Sequence, residues 1–275
     1  MSPDEYCSDA VARRGSSLFY AVFRLPPEKR RAVVAVYAFR REVDNIAAAC
    51  SDPALAAAKL AWWRHELAAL YGGVPQHPVA RALQPAIESG RLPEARFLEM
   101  IEAVEADLTA PRYADYAALA DYCWRMGAVP NELVAEILGR RDSRTLDCVR
   151  ELGLATRVAR IIRDVGLDAR RDRIYLPADE MRRFDVAPAD LLHCRYGEGF
   201  RRLAELQIDR VEGRFAQALA DFPAVDRKAQ RPVLVLAAIA RTLLAEIRAD
   251  ACRVLDRRTS LTPLRKLWIA WRGYT

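Results

Sequence analysis

The chain has 275 residues, 52% of them apolar and 29% charged, with a formal net charge of +6 and a pI near 9.1. That balance excludes a disordered chain and the length allows a sizeable core, while 12 glycines are few for a β-rich protein with many tight turns. No stretch of about 18 apolar residues occurs, since Arg241 interrupts the nearest candidate, and the opening MSPDEYCSDAVARRG lacks the apolar centre of a signal peptide, so a cytoplasmic protein is expected.

Helical periodicity of apolar residues runs nearly throughout, and no alternating strand pattern, linker or internal repeat interrupts it. Pro26-Pro27 breaks an opening segment and starts a helix over about 27–50. Pro53 opens the next, which carries Leu60, Trp63 and Leu67 on its apolar face and ends at Gly72-Gly73. Shorter helices are predicted over about 78–89 and 93–108, then a long one over 113–139 with a kink at Pro130. A strong helix follows over 143–171, then, after the extended IYLP, helices over about 197–222, 229–255 and 263–272. The expected architecture is all-α, one domain spanning 1–275, with a cavity between long helices.

Nearly all the positive charge is arginine, lysine occurring only at Lys29, Lys59, Lys228 and Lys266. Such a balance permits nucleic acid, anionic membrane or phosphorylated partners without choosing among them. Nucleic acid is not expected, because the charge is spread along the chain and no reading helix is recognisable. The six cysteines form no C-x-x-C pair and are expected as reduced, buried thiols. His65, His77 and His193 have no metal-site spacing, and no glycine-rich phosphate loop or dinucleotide fingerprint occurs.

Two arginine–aspartate segments stand out. In YAFRREVDNIA, Tyr37, Arg41, Asp44 and Ala48 follow at helical intervals and share one face. A cavity lined by Val33, Val36 and Tyr37, with Arg41 and Asp44 at its mouth, suits a lipid diphosphate. In the second segment Asp164 and Asp168 lie one turn apart beside Arg163, with Arg170, Arg171 and Arg173 just beyond. Two such carboxylates can hold a magnesium ion shared with a diphosphate, since magnesium takes one or two carboxylates and completes its shell with phosphate oxygens and water. The arginines would neutralise the leaving group. Brought face to face, the two segments suit breaking a carbon–oxygen bond to diphosphate. Taken separately, each also fits a helix-surface ion-pair network. At the C-terminus, Leu264, Leu267, Trp268 and Trp271 share one side of a helix, with Arg265, Lys266 and Arg272 towards the other. That pattern fits contact with a membrane surface, although tryptophans packed onto the core are the preferred expectation.

The order SSLFYAVFRLPPEKRRAVVAVYAFRREVDN, KLAWWRHELAALYGGVPQHPVARAL, ADYCWRM, LGLATRVARIIRDVGLDARRDRIYLP and PLRKLWIAW resembles the squalene/phytoene synthase family over about residues 15–272. Within it the chain most resembles the presqualene diphosphate synthases of bacterial hopanoid biosynthesis. The resemblance implies an isoprenoid-synthase helical fold and head-to-head condensation of two farnesyl diphosphates with magnesium (Mg2+). It implies catalytic roles for Tyr37, Tyr122, Asp164 and Asp168. It places Ser17, Arg41, Arg163 and Arg173 on the diphosphate, and Asp44, Asp164 and Asp168 on the metal. Peripheral contact with the inner membrane is a further expectation.

Departures from the family pattern matter as much. The first motif usually reads Asp-Asp-x-x-Asp, but here Asp44 is followed by Asn45 and Ala48, and Asp52 lies about 80° round an ideal helix. The second carries Arg157, Arg160 and Leu167 where the family has Gln, Asn and Glu. MGAVPN replaces the usual glycine-rich kink after Tyr122, and Ala240 stands near a missing cavity tyrosine. The site is therefore more positive, which weakens magnesium binding and favours bare diphosphate. Arg157 and Arg160 are expected to bind diphosphate and to substitute in part for the metal. The alternative function is a catalytically weakened relative that keeps prenyl-diphosphate binding or a helical assembly role.

Overall fold

The computed structural model describes residues 1–50, 52–90, 92–109 and 112–274, with the side chains of residues 48, 49, 109 and 274 left aside, so the Ala48 side chain lies outside the description. Most helices begin where proline or a short polar side chain satisfies the first turn. Helix α1 (Pro3–Val11) has a Ser2–Glu5 capping box, and α2 (Ser17–Val22) is capped by Ser16. Then come α3 (Pro27–Ala49), α4 (Pro53–Tyr71) and α5 (Pro78–Glu88), the last two capped by Asp52 and by the His77 ring. Asp52 thus belongs to the start of α4 rather than to the motif face of α3. Next are α6 (Glu94–Thr109), α7 (Tyr116–Cys123), a π-helical turn (Trp124–Ala128) and α8 (Val129–Leu138). The 26-residue α9 (Arg144–Ala169) leads to the short α10 (Ala178–Arg183) and α11 (Pro188–Leu192). The chain finishes with α12 (Glu198–Ala220), α13 (Arg231–Ala249) and α14 (Pro263–Tyr274).

The fold is all-α. Among the described residues there is no strand, only one isolated parallel bridge between Arg112 and Ile174. The expected helix over 113–139 is real but interrupted. The interruption is the π turn, where Val129 N–H reaches back to the Trp124 carbonyl, and Pro130 sits in the first turn of α8. The expected helix over 229–255 stops at Ala249, because Ala251 and Cys252 take positive φ. The following loop folds back over α9.

α9 is the central element, packed by α12, α13, α8 and the π turn, while α3 packs against α1, α5, α6 and α8. Two close approaches set the site. A Cβ on Gly153 would stand 2.3 Å from the Gly127 carbonyl oxygen, so only glycine lets the π turn rest directly on α9. A Cβ on Gly166 would lie 1.9 Å from Leu255 O, and that contact draws the 250–262 loop onto the far end of α9. All six cysteines are free, with Cys7, Cys123, Cys148 and Cys252 buried and Cys50 and Cys194 half-buried. Among the described residues no helix is long and apolar enough to cross a membrane.

One packing expectation fails. Trp268 and Trp271 of α14 are 53% and 56% exposed, not packed onto the core. The helix instead docks through Ile269 and Ala270, on its opposite side.

Candidate functional site

Two hollows of about 300 and 290 Å³ meet at Arg41, Arg157, Arg160 and Arg258. The inner one runs between α2, α3, the π turn, α9 and α13, with Leu18, Tyr37, Met126, Leu236, Ile239, Ala240 and Leu243 in its wall. Ala240 leaves room where a larger side chain would fill the space. The outer hollow is polar and carries Asp44, Asp164, Asp168, Arg171, Arg173 and Tyr175. Val33 and Val36 do not line the cavity as the spacing suggested; both are fully buried in the core. Tyr37, one turn on from Val33, does line it, and its hydroxyl donates to Asn131 Oδ1 at 2.8 Å. Arg40 takes the wall position instead.

The two motifs do meet. Arg157, only 6% exposed, donates to both oxygens of Asp44, at 3.0 and 2.8 Å. It also donates to the Tyr122 hydroxyl, and its guanidinium lies 5.1 Å from the centre of that ring. Tyr122 therefore sits behind Arg157 rather than in the wall. Arg160 stands 3.8 Å from Asp44 and 3.8 Å from Asp164, linking α3 to α9. Asp164 accepts from Arg163 at 2.8 and 2.5 Å and from Arg258 at 2.7 Å. Ser17, Arg41 and Arg163 line the inner hollow. Arg173 reaches the outer hollow but is tied to buried Asp107, which also accepts from Tyr113 and Tyr175 at 2.9 Å each.

Electrostatics separate the three aspartates. Burial pushes the Asp44 carboxyl up, but Arg157 and Arg160 together hold it well below the usual carboxylate range. Burial likewise opposes ionisation of Asp164, yet Arg163 and Arg258 bring it to about 2. Asp168 has no ion pair among the described residues, and burial with the neighbouring Asp164 charge raises it to about 6.

Eight arginines and three aspartates line the joined hollows, a surplus of five positive charges. Three buried polar atoms in the inner wall, Arg40 Nε, Arg157 Nε and Thr156 Oγ1, have no protein partner. Leaving such a group unpaired costs about 1–3 kcal/mol. Guanidinium groups on several sides of one space suit an anion with many oxygens, such as a diphosphate.

A magnesium ion shared by Asp44, Asp164 and Asp168 would have to displace the arginines that now hold the first two. Both oxygens of Asp44 and both of Asp164 already accept from guanidinium groups. Asp168 alone offers a carboxylate outside any ion pair.

Arg40, Arg258, Asn131 and the Asp107–Tyr175 pair escaped the sequence reading. Arg40 had a signal, since it stands one turn before Asp44. Arg258 had none, because a loop delivers it.

Comparison with known proteins shows the family of the chain. The squalene/phytoene synthase family model matches residues 11–265. The 15-cis-phytoene synthase of Synechocystis sp. is 29% identical, over 97% of this chain and 84% of that protein. A dehydrosqualene synthase crystallised with a ligand superimposes with a TM-score of 0.87 at 25% identity, covering 98% of this chain and 95% of the other. Squalene synthase HpnC from Alicyclobacillus acidocaldarius gives 0.79 at 26% identity, over 90% and 94% of the two chains. The chain belongs to the squalene/phytoene synthase family.

Proposed function

We propose that this chain binds farnesyl diphosphate at the arginine-lined mouth and joins two such molecules head to head into presqualene diphosphate. The carrying observation is the surplus of guanidinium groups around a hollow that also has an apolar wall of Leu236, Ile239 and Leu243. The anionic head rests among Arg41, Arg160 and Arg163, and the prenyl chain lies against Leu236, Ile239 and Leu243. The donor's carbon–oxygen bond breaks and its electron pair leaves with the diphosphate. The double bond of the second molecule supplies the pair for the new carbon–carbon bond, and loss of a proton closes the cyclopropane. Fixed cations around the leaving oxygens stabilise that charge without reorganising, and the apolar wall keeps water from the cation. In this reading Tyr37 and Tyr122 hold the polar floor, through Asn131 and Arg157. No step passes through a resident metal.

A second reading is favoured by one observation, the two-point pairing of Arg157 with Asp44. With that carboxylate occupied, the chain would bind prenyl diphosphate and turn it over poorly or not at all. Labelled farnesyl and geranylgeranyl diphosphates, each with and without magnesium, separate the readings by product mass. Presqualene diphosphate from the farnesyl substrate supports the first. Tight binding without product supports the second, and a product made only from the longer substrate rejects the farnesyl assignment.

A further inference from the structure

At the opposite end of the bundle from the arginine mouth lies another hollow, of about 720 Å³, that the reaction does not use. It opens beside the starts of α3, α9 and α13 and the end of α8. Lys29 stands about 22 Å along α3 from Asp44, and the start of α9 lies about 30 Å along that helix from Asp164. Three separate segments line the hollow with cations: Arg24 and Lys29 around the start of α3, Arg140 and Arg141 before α9, and Lys228 and Arg231 at the entry to α13. Asp226 is the one carboxylate of the lining.

The loops that carry this charge are pinned from beneath. Asp226, 1% exposed, accepts from the N–H groups of Arg141 at 2.9 Å and Asp142 at 3.0 Å, and from Thr145 Oγ1 at 2.6 Å. Gln230, fully buried, donates to Ala135 O at 3.2 Å and Gly139 O at 3.0 Å. The carboxylate of the lining is thus engaged with the loop that it fixes. Arg141 and Lys228 are exposed and their side chains form no ion pair among the described residues. Lys29 Nζ donates to a carbonyl, Leu138 O at 2.7 Å, and so keeps a charge that no acid balances. Arg140 is already paired with Glu136 and adds little. The first turn of α13 has no side-chain cap, which turns the positive end of a helix dipole towards the same wall. A flat basic face would suit a membrane or a nucleic acid. Cations brought from three segments around a concave space suit a compact anion that accepts from all of them at once.

We propose that this hollow is a second anion site, which takes a compact polyphosphate of two or three phosphates on Lys29, Arg141 and Lys228. Loops already fixed by Asp226 and Gln230 lower the ordering cost of binding, so several modest contacts add up to a usable affinity. The inference rests on the lining of this hollow and stands whichever reaction the mouth performs.

The test is calorimetric titration of the full chain with inorganic triphosphate, diphosphate and orthophosphate in chelator. Two binding events are expected with triphosphate, one at the mouth and one here, with orthophosphate about tenfold or more weaker at the second. The double variant Arg141→Gln/Lys228→Gln should weaken the second event by about tenfold or more and leave binding of a farnesyl thiodiphosphate at the mouth unchanged. Its Tm should match the original, because both side chains are exposed; if it melts early, Lys228→Gln alone should still weaken the second event. Arg160→Asn should affect only the first event. If the mouth binds nothing, a single event remains and the double variant alone removes it, so failure of the mouth reading is distinguishable. Arg182→Gln/Arg183→Gln takes the same charge from α10 and should change neither event. Triphosphate binding untouched by the double variant, or weakened equally by the α10 variant through diffuse surface charge, overturns the proposal.

Discussion

A half-buried aspartate beside another aspartate, with no cation paired to it, gives up its proton late. Asp168 is such a residue, and its folded value of about 6 lies above the ordinary 3.8. The sign follows from proton counting. Between those values the folded chain holds a proton that the unfolded chain has released, so stability falls as pH rises through the window. Asp168→Asn should abolish that fall and stabilise the protein at pH 7 by about 1–3 kcal/mol. Urea unfolding of both proteins at pH 4 and pH 7 checks this. Equal stabilities at both values would mean the carboxyl is neither buried nor opposed by Asp164.

Arg157 is the opposite case, a buried cation whose partner is fixed. Arg157→Met leaves Asp44 and the Tyr122 hydroxyl without their donor and should cost about 3–5 kcal/mol. Adding Asp44→Asn to that variant should recover a large part of the loss, because it removes the stranded charge. A thermal or urea double-mutant cycle measures the coupling, and strictly additive losses would deny the pair. At this scale the motif spacing carried well: Asp44, Asp164, Asp168, Arg157 and Arg160 do converge on one space. The fourfold interval told which face they share, but not that arginines occupy the carboxylates. Pair geometry depends on how α3 and α9 cross, which no local pattern records.

Among the elements, the joint between the π turn and α9 controls the inner hollow. Gly153→Ala would drive a methyl group into the Gly127 backbone and should cost about 3 kcal/mol or more. Gly213→Ala, in open space on α12, should instead stabilise by up to about 1 kcal/mol. Comparing the two melting temperatures separates steric contact from helix propensity, and similar shifts would refute the close approach. The long helices were readable because 3.6-residue periodicity accumulates over many turns. The helices at 3–11, 17–22, 178–183 and 188–192 were missed, being too short for that signal. The π turn before Pro130 was not anticipated, because its close approach to Gly153 is a tertiary contact that no local pattern records.

At the level of the whole molecule, the all-α class and family followed from residue order across nearly the full chain. The outward stripe of α14 did not, because an amphipathic pattern is the same whether the apolar side faces a core or solvent. Arg258 was hidden for a related reason: its position depends on the fold-back of the loop after α13. The surplus of arginine over carboxylate arises only when both motifs and that loop come together, and on it rests the proposal that this mouth grips diphosphate without a metal. Calorimetric titration with a non-hydrolysable farnesyl thiodiphosphate, in chelator and then in magnesium, tests it most directly. The expected result is clear binding in chelator, little gain from magnesium, and about tenfold weaker metal-free binding by Arg160→Asn. Binding that appears only with magnesium, or an Arg160→Asn protein that binds as the original does, would contradict it.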